Sequence, residues 1–217
     1  MSDMEKSIAF ETAEALLQIN AIKLNARNPF TWASGLRAPI YCDNRRILSF
    51  PEVRRLVADH LSRMAGEKFP GATVVAGVAT GAIAHGVLVA ERLGKPFVYV
   101  RSAAKGHGLA NRIEGHLPQG SRVVVIEDLV STGRSSLEAV AALREAGAEV
   151  LGMVAVFTYE LPAAAESFDR HTCTFYSLSN YSSLLRVAES GSRISASDFE
   201  MLDEWKNDPE KWSSKYH

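Results

Sequence analysis

An α/β fold, with a central, mainly parallel sheet flanked by helices, is what this sequence predicts, and two observations carry the prediction. Short runs of β-branched residues, at 74–76, 97–100, 122–126 and 150–157, alternate with helical periods. Continuous apolar strands between helices mean a sheet buried on both faces. At two strand-to-helix junctions the chain places glycine-bearing turns, Gly77-Val78-Ala79-Thr80-Gly81 and Ser131-Thr132-Gly133. Those junctions are where open α/β sheets bind their ligands.

In chain order, residues 3–20 set Ile8, Ala13, Leu16 and Leu17 at helical spacing. Residues 25–46 hold Pro29, Pro39 and a Ser34-Gly35 turn among Phe30, Trp32 and Tyr41, which reads as short strands joined by turns. Ser49 with Glu52 three residues on has the form of a capping box, and Pro51 suits a first helical turn. The helix that follows carries the stripe Val53, Leu56, Val57, His60, Leu61 and Met64, with His60 read as a packed side chain. The strand at 74–76 leads through its glycine turn into a helix ending near residue 93, where His85 is read as buried. A strand at 97–100 follows. Another at 122–126 precedes a helix over 135–146, closed by Gly147. Strands at 150–157 and 174–178 come next, and residues 197–216 read as one amphipathic helix around Phe199, Leu202, Trp205 and Trp212.

Residues 101–120, RSAAKGHGLANRIEGHLPQG, break the pattern. They show no apolar period, and they carry Arg101, Lys105, His107 and Arg112 with four glycines. Loops beyond about 12–15 residues inside compact domains are commonly lids or else disordered, solvated segments. A mobile cationic lid over an anion is the expectation.

Composition limits the alternatives. The chain has 217 residues, 47% hydrophobic and 23% charged, which is globular and large enough for a real core. Lys plus Arg total 24 against 25 for Asp plus Glu, a net charge of −1. That argues against nucleic acid or an anionic membrane surface as a partner. Cys42 and Cys173 are too few for a disulfide framework and not spaced as zinc ligands. The N-terminal MSDMEKSIAFE lacks the apolar run of a signal peptide, and no stretch approaches the roughly 20 apolar residues of a membrane span, so a cytoplasmic location is expected.

The chemistry concentrates in VVVIEDLVSTGRSS, residues 123–136. An apolar strand delivers Glu127 and Asp128 to its carboxyl end, and a Ser-Thr-Gly turn then opens a helix. Such a turn points free N–H groups and hydroxyls at a phosphate. The acids repel phosphate, so they should meet hydroxyl groups or a cation. Diol-binding acids beside a monophosphate cradle describe a ribose 5-phosphate site; a metal site alone, or a cap for the next helix, are the competing readings. No G-x-x-x-x-G-K-[ST] loop occurs, and Asn111 stands where a dinucleotide fingerprint beginning at Gly106-x-Gly108 would need glycine. The turn at Ala79, Thr80 and Gly81 is a candidate pyrophosphate cradle.

EDLVSTGRSS after four β-branched residues resembles the phosphoribosyl-pyrophosphate (PRPP) signature of the type I phosphoribosyltransferases. Together with FTWASGLRAPIYCDNRR and RSAAKGHG, in that order, it is similar to the orotate-using branch over residues 3–190 or so. The resemblance implies the type I phosphoribosyltransferase fold in one domain: a hood of about residues 1–48 with C-terminal elements, a core of about 49–180, and the lid of about 101–120. It implies Mg²⁺-dependent transfer of ribose 5-phosphate from PRPP to orotate, in pyrimidine nucleotide synthesis. Asp128, Lys105 and His107 would be catalytic. Glu127 and Asp128 would bind the ribose hydroxyls. Leu129, Val130, Ser131, Thr132, Gly133, Arg134 and Ser135 would surround the 5-phosphate, and Arg101, Lys105 and His107 would grip pyrophosphate. Ser131, Tyr41 and Cys42 would meet orotate. Mg²⁺ would travel with PRPP, near Asp128, and not in a dedicated protein cage. A homodimer sharing lid residues between subunits is also implied. Some branches carry lysines at the positions of Ala33 and Ser102 and an arginine at that of Tyr159; others share the present pattern, and activity is expected. Two rivals remain: a purine phosphoribosyltransferase with a different base pocket, and a PRPP-sensing regulator of nucleic acid. Against the regulator stand the net charge of −1 and the lack of a helix-turn-helix pattern.

Overall fold

The structure, a computed structural model, describes residues 3–32, 34–101 and 112–216. An opening helix α1 (Asp3–Gln18) leads into four short strands, β1 (Ile22–Leu24), β2 (Phe30–Thr31), β3 (Arg37–Ala38) and β4 (Ile40–Cys42). β1 pairs antiparallel with β4, and β2 with β3. A 3₁₀ turn (Asn44–Ser49) then runs into α2 (Pro51–Lys68). The core continues as β5 (Val74–Val78), α3 (Ile83–Leu93), β6 (Phe97–Val100), β7 (Ile113–Glu114), β8 (Arg122–Val130), α4 (Arg134–Glu145), β9 (Glu149–Thr158), α5 (Pro162–Arg170) and β10 (Phe175–Asn180). Three helices close the chain, α6 (Tyr181–Ser190), α7 (Ala196–Trp205) and α8 (Pro209–Ser214).

The six-stranded sheet has the order β10-β9-β8-β5-β6-β7. Every pairing is parallel except β6 with β7. Two apolar clusters sandwich it. One joins α1, α2, the small strands and the last three helices; the other lies under α4 and α5. β8 shows why the apolar run predicted it: Val123 to Ile126 are each fully buried, with alternate side chains entering the two clusters.

Three expectations change. Ser49 is not a helix cap: it ends the 3₁₀ turn, Phe50 occupies the N-cap with no side-chain hydrogen bond, and Pro51 starts the helix. Asp43 caps the 3₁₀ turn instead. The last helix is two, because Asp208 caps a fresh start at Pro209, which cannot continue the preceding turn. Within residues 101–120, the described ones are tied into the fold. The Arg101 amide donates to the Arg112 carbonyl at 2.8 Å, and Ile113 and Leu117 pack on the second cluster. Ala33 and residues 102–111, with Ser102, Lys105 and His107 among them, lie outside the described residues. Among the described residues no helix is long and apolar enough to cross a membrane.

The closing helices roof the small strands. The Arg37 amide donates to Ser213 Oγ at 2.9 Å, and the Tyr216 hydroxyl to the Ala26 carbonyl at 3.2 Å. Trp32 stacks on Tyr159 with centroids 5.1 Å apart and meets Trp205 edge-on at 5.6 Å. The hood is thereby anchored on the carboxyl end of β9.

Candidate functional site

β5 is followed by β6 on one side of it, while β8 lies on the other. The chain changes direction across the sheet between β5 and β8, and the crevice at their carboxyl ends is the switch point where α/β sheets take ligands. Both glycine turns open there.

The two turns touch. A Cβ added at Gly81 would run into the Asp128 carboxylate, so only glycine lets the first turn approach the second strand this closely. Gly133 has φ +80°, and a Cβ there would stand 2.7 Å from the Phe168 ring. Glycine is required on both counts. It occupies the N-cap of α4 with no side-chain cap. The first amides of that helix therefore have no partner within it, and the macrodipole favours an anion there. A hollow of about 400 Å³ lies in front of them, lined by Leu129, Ser131, Thr132, Gly133, Arg134, Ser135, Ser136 and Glu138. Arg134 turns outward to Glu138 at 3.3 Å, so its contribution to the nest is its amide. Val130 is buried and supports the turn from below.

The two acids differ. Asp128 is half-buried and faces the crevice. Glu127 is only 4% exposed; its carboxylate accepts from the Ser136 hydroxyl at 2.7 Å and from the Asp128 amide at 3.0 Å. Burial first, then the adjacent Asp128 charge, pushes the Glu127 carboxyl well above the usual range. Among the described residues no group of three or more His, Cys, Asp or Glu could hold a metal by itself. The donor set suits Mg²⁺ only as one carboxylate, Asp128, beside a substrate's own phosphate oxygens.

Beside Asp128 is a cavity of about 270 Å³ lined by Thr31, Trp32, Tyr41, Cys42, Leu129, Ser131 and Tyr159. Three of its seven lining residues are aromatic, and Ser131 belongs to both this cavity and the phosphate hollow. Tyr41 is 42% exposed at its mouth. The Cys42 thiol sits inside; burial, then Asp128 and Asp43, push its pKa well up, so it is a neutral donor. Burial does the same to the Tyr159 phenol.

Of the expected site residues, the structure brings together Tyr41, Cys42, Ala79, Thr80, Gly81, Glu127, Asp128 and residues 129–135. Arg101 stands at the end of β6, 3.4 Å from Glu114. Lys105 and His107 fall outside the described residues. His85 is fully buried, with neither ring nitrogen hydrogen-bonded among the described residues, and burial lowers its pKa. Its packing role stands. His60 is also buried, 3.2 Å from Glu11. Sequence reasoning missed Trp32 as a pocket wall, Ser136 as the partner of Glu127, and Asn44, which donates to the Asp128 carbonyl. Asn44 lies 84 positions from Asp128, and no local pattern signals that contact.

Comparison with known proteins gives a consistent result. The phosphoribosyl transferase domain family matches residues 44–185. The orotate phosphoribosyltransferase of Porphyromonas gingivalis is 51% identical over 207 residues, covering 95% of this chain and 99% of that one. That of Bacillus cytotoxicus is 50% identical over 204 residues, covering 93% and 97%. Among solved structures, orotate phosphoribosyltransferase from Aeropyrum pernix superposes with a TM-score of 0.72 at 32% identity, covering 80% of this chain and 96% of that one.

Proposed function

The chain belongs to the orotate phosphoribosyltransferases of pyrimidine biosynthesis, and from that premise we propose how its switch-point crevice carries out the transfer. The observation that supports the reading best is the contact of the two turns. Asp128 and an uncapped helix N-terminus stand side by side, with the Gly81 turn pressed against the acid. A ribose with a 5-phosphate and a 1-pyrophosphate needs those three features in that arrangement.

The amides and hydroxyls of residues 131–135 hold the 5-phosphate. Asp128 accepts from the ribose diol; Glu127, expected to share that role, is turned inward onto Ser136 and stands behind it. Ala79, Thr80 and Gly81 face the pyrophosphate, and Arg101, Lys105 and His107 supply cations to it. Orotate enters the aromatic cavity, between Trp32 and Tyr159 on one side and Leu129 and Ser131 on the other, with Tyr41 and Cys42 at its edge. The bond from the anomeric carbon to pyrophosphate breaks, and its electron pair leaves with pyrophosphate. The orotate ring nitrogen, already acidic, gives up its proton to solvent, and its electron pair forms the new C–N bond from the opposite face. No nucleophilic side chain is needed. The chain's part is positioning, neutralisation of the leaving group and exclusion of water. Mg²⁺ bound with PRPP would neutralise the leaving charge, and Asp128 is the carboxylate placed to meet it.

The protein is proposed to work in the cytoplasm as a homodimer that shares lid residues. Supporting the dimer, α3 presents Ile83, Ala84, Val87 and Leu88 along one face, with Val87 46% exposed.

Loss of orotate absorbance on adding PRPP and Mg²⁺ tests the whole reading, with adenine, hypoxanthine and uracil assayed in parallel. Turnover of orotate alone is expected. Turnover of a purine without orotate would overturn the assignment of the base cavity.

A further inference from the structure

We infer that Asn44 is a positioning residue for Asp128, holding the acid's main chain where the sheet no longer does. The inference deepens the site reading above and rests on Asp128 having the role given there.

β5 pairs with β8 only as far as Ile126, whereas β9 pairs with it to Val130. Past Ile126 the strand has, among the described residues, a paired neighbour on one side alone, because β5 has turned away into the Ala79–Gly81 cradle. Asp128 sits in that half-supported stretch, and its main-chain groups find side chains. Its amide donates to Glu127 Oε1 at 3.0 Å, and its carbonyl accepts from Asn44 Nδ2 at 2.6 Å. Asn44 is 1% exposed, so its bond is made away from water.

The orientation of Asn44 is dictated by its neighbours. The Cys42 thiol donates to Asn44 Oδ1 at 3.3 Å, and a carbonyl can only accept. The amide oxygen must therefore face Cys42 and the NH₂ group must face Asp128. Asn44 opens the 3₁₀ turn immediately after β4, with Asp43 anchored by its amide to the Ala21 carbonyl at 2.8 Å. The hood thus reaches across to the acid proposed above to accept from the diol. The Asp128 carboxylate already bears on Gly81. A small shift of its peptide would press it into the pyrophosphate cradle or lift it from the diol.

A double-mutant cycle tests this in the full-length protein. Asn44→Leu keeps the bulk and removes both bonds; Asp128→Asn removes the carboxylate. Asn44→Leu should lower kcat about 10- to 100-fold, the scale on which misplacement of a positioned group acts. KM for orotate should move less than the rate does. In the Asp128→Asn background the same change should cost less than about threefold further, because the residue acts through the acid already removed. Asn44→Ser, which puts no new bulk in a buried site, repeats the cycle should the leucine variant not fold. Losses that multiply in the double variant, as a general loss of stability would give, overturn the inference. Wild-type turnover in Asn44→Ser overturns it as well. Wild-type turnover in Asp128→Asn would instead strike the site reading itself, so the two failures are separable.

Discussion

At the scale of single residues, Glu127 and Asp128 are adjacent carboxylates that the fold treats in opposite ways. Asp128 is left half in the crevice, while Glu127 is turned inward onto Ser136. An acid whose folded pKa is raised keeps its proton in the native state after the unfolded chain has released it. The native state then binds more protons than the unfolded one, and stability falls as pH rises above the ordinary glutamate value of about 4.3. Glu14, Asp43 and Asp198 work in the other direction. The first is lowered chiefly by its Arg193 hydrogen bond, the second by Arg45 and the third by Ser195. Their stabilisation is lost as pH falls through their folded values, and it is common to wild type and to any Glu127 variant. The difference between Glu127→Gln and wild type therefore isolates Glu127. Urea midpoints for the two proteins should diverge from pH 4 upward, with the glutamine variant gaining on wild type. Parallel curves would mean that Glu127 is ionised in the folded protein. Asp128→Asn, by contrast, should lower kcat by a factor on the order of 10²–10³, the usual cost of losing one pre-organised catalytic group, while the protein folds with no loss of stability, since the charge removed is one that raises the pKa of Glu127.

The elements that make the site are two turns, and each depends on its glycine for a different reason. Gly81 allows close approach, whereas Gly133 also needs a positive φ. Gly133→Ala should cost about 1–2 kcal/mol from the left-handed backbone alone, with more from the Phe168 contact. Gly81→Ala should spare the backbone and displace Asp128, lowering turnover more than stability. Equal stability losses in the two variants would contradict that division. These turns were legible in the sequence because strand, glycine and helix signals lie within a dozen residues of one another. So was the parallel sheet, since the fully buried run Val123 to Ile126 has no other reading. The hood was legible only as short strands. Its working contacts, Asn44 to Asp128 and Trp32 to Tyr159, join residues brought together by tertiary packing, which local periodicity does not report. The capping box at Ser49 failed because a 3₁₀ turn pre-empted the cap, and the single closing helix failed because Asp208 and Pro209 restart it. α6 went unread because it follows β10 without a loop, Asn180 serving at once as strand end and cap.

At the scale of the whole molecule, what matters is whether one chain makes a complete site. β6 ends at Val100 and Arg101 follows it at the carboxyl end of the strand, while α3, packed against β5 and β6, exposes Val87 on its outward face. The homodimer proposed above would pack through that face, with the lid cations of one copy serving the crevice of the other. A dimer built this way can be repaired by mixing. Lys105→Ala removes a lid cation and Asp128→Asn removes a crevice acid, so each homodimer is crippled at both of its sites. In a hybrid, crossed sharing puts both lesions into one site and leaves the other intact. Random reassortment makes half the dimers hybrid, so an equal mixture should regain about a quarter of wild-type activity under closed two-fold symmetry. With an uncrossed lid, each hybrid site keeps one lesion, and mixing restores nothing. Val87→Arg should abolish the repair by keeping the chains apart in sedimentation, since a buried like-charge pair at a two-fold contact has no partner to neutralise it. Recovery that persists in Val87→Arg would move the subunit contact to another face.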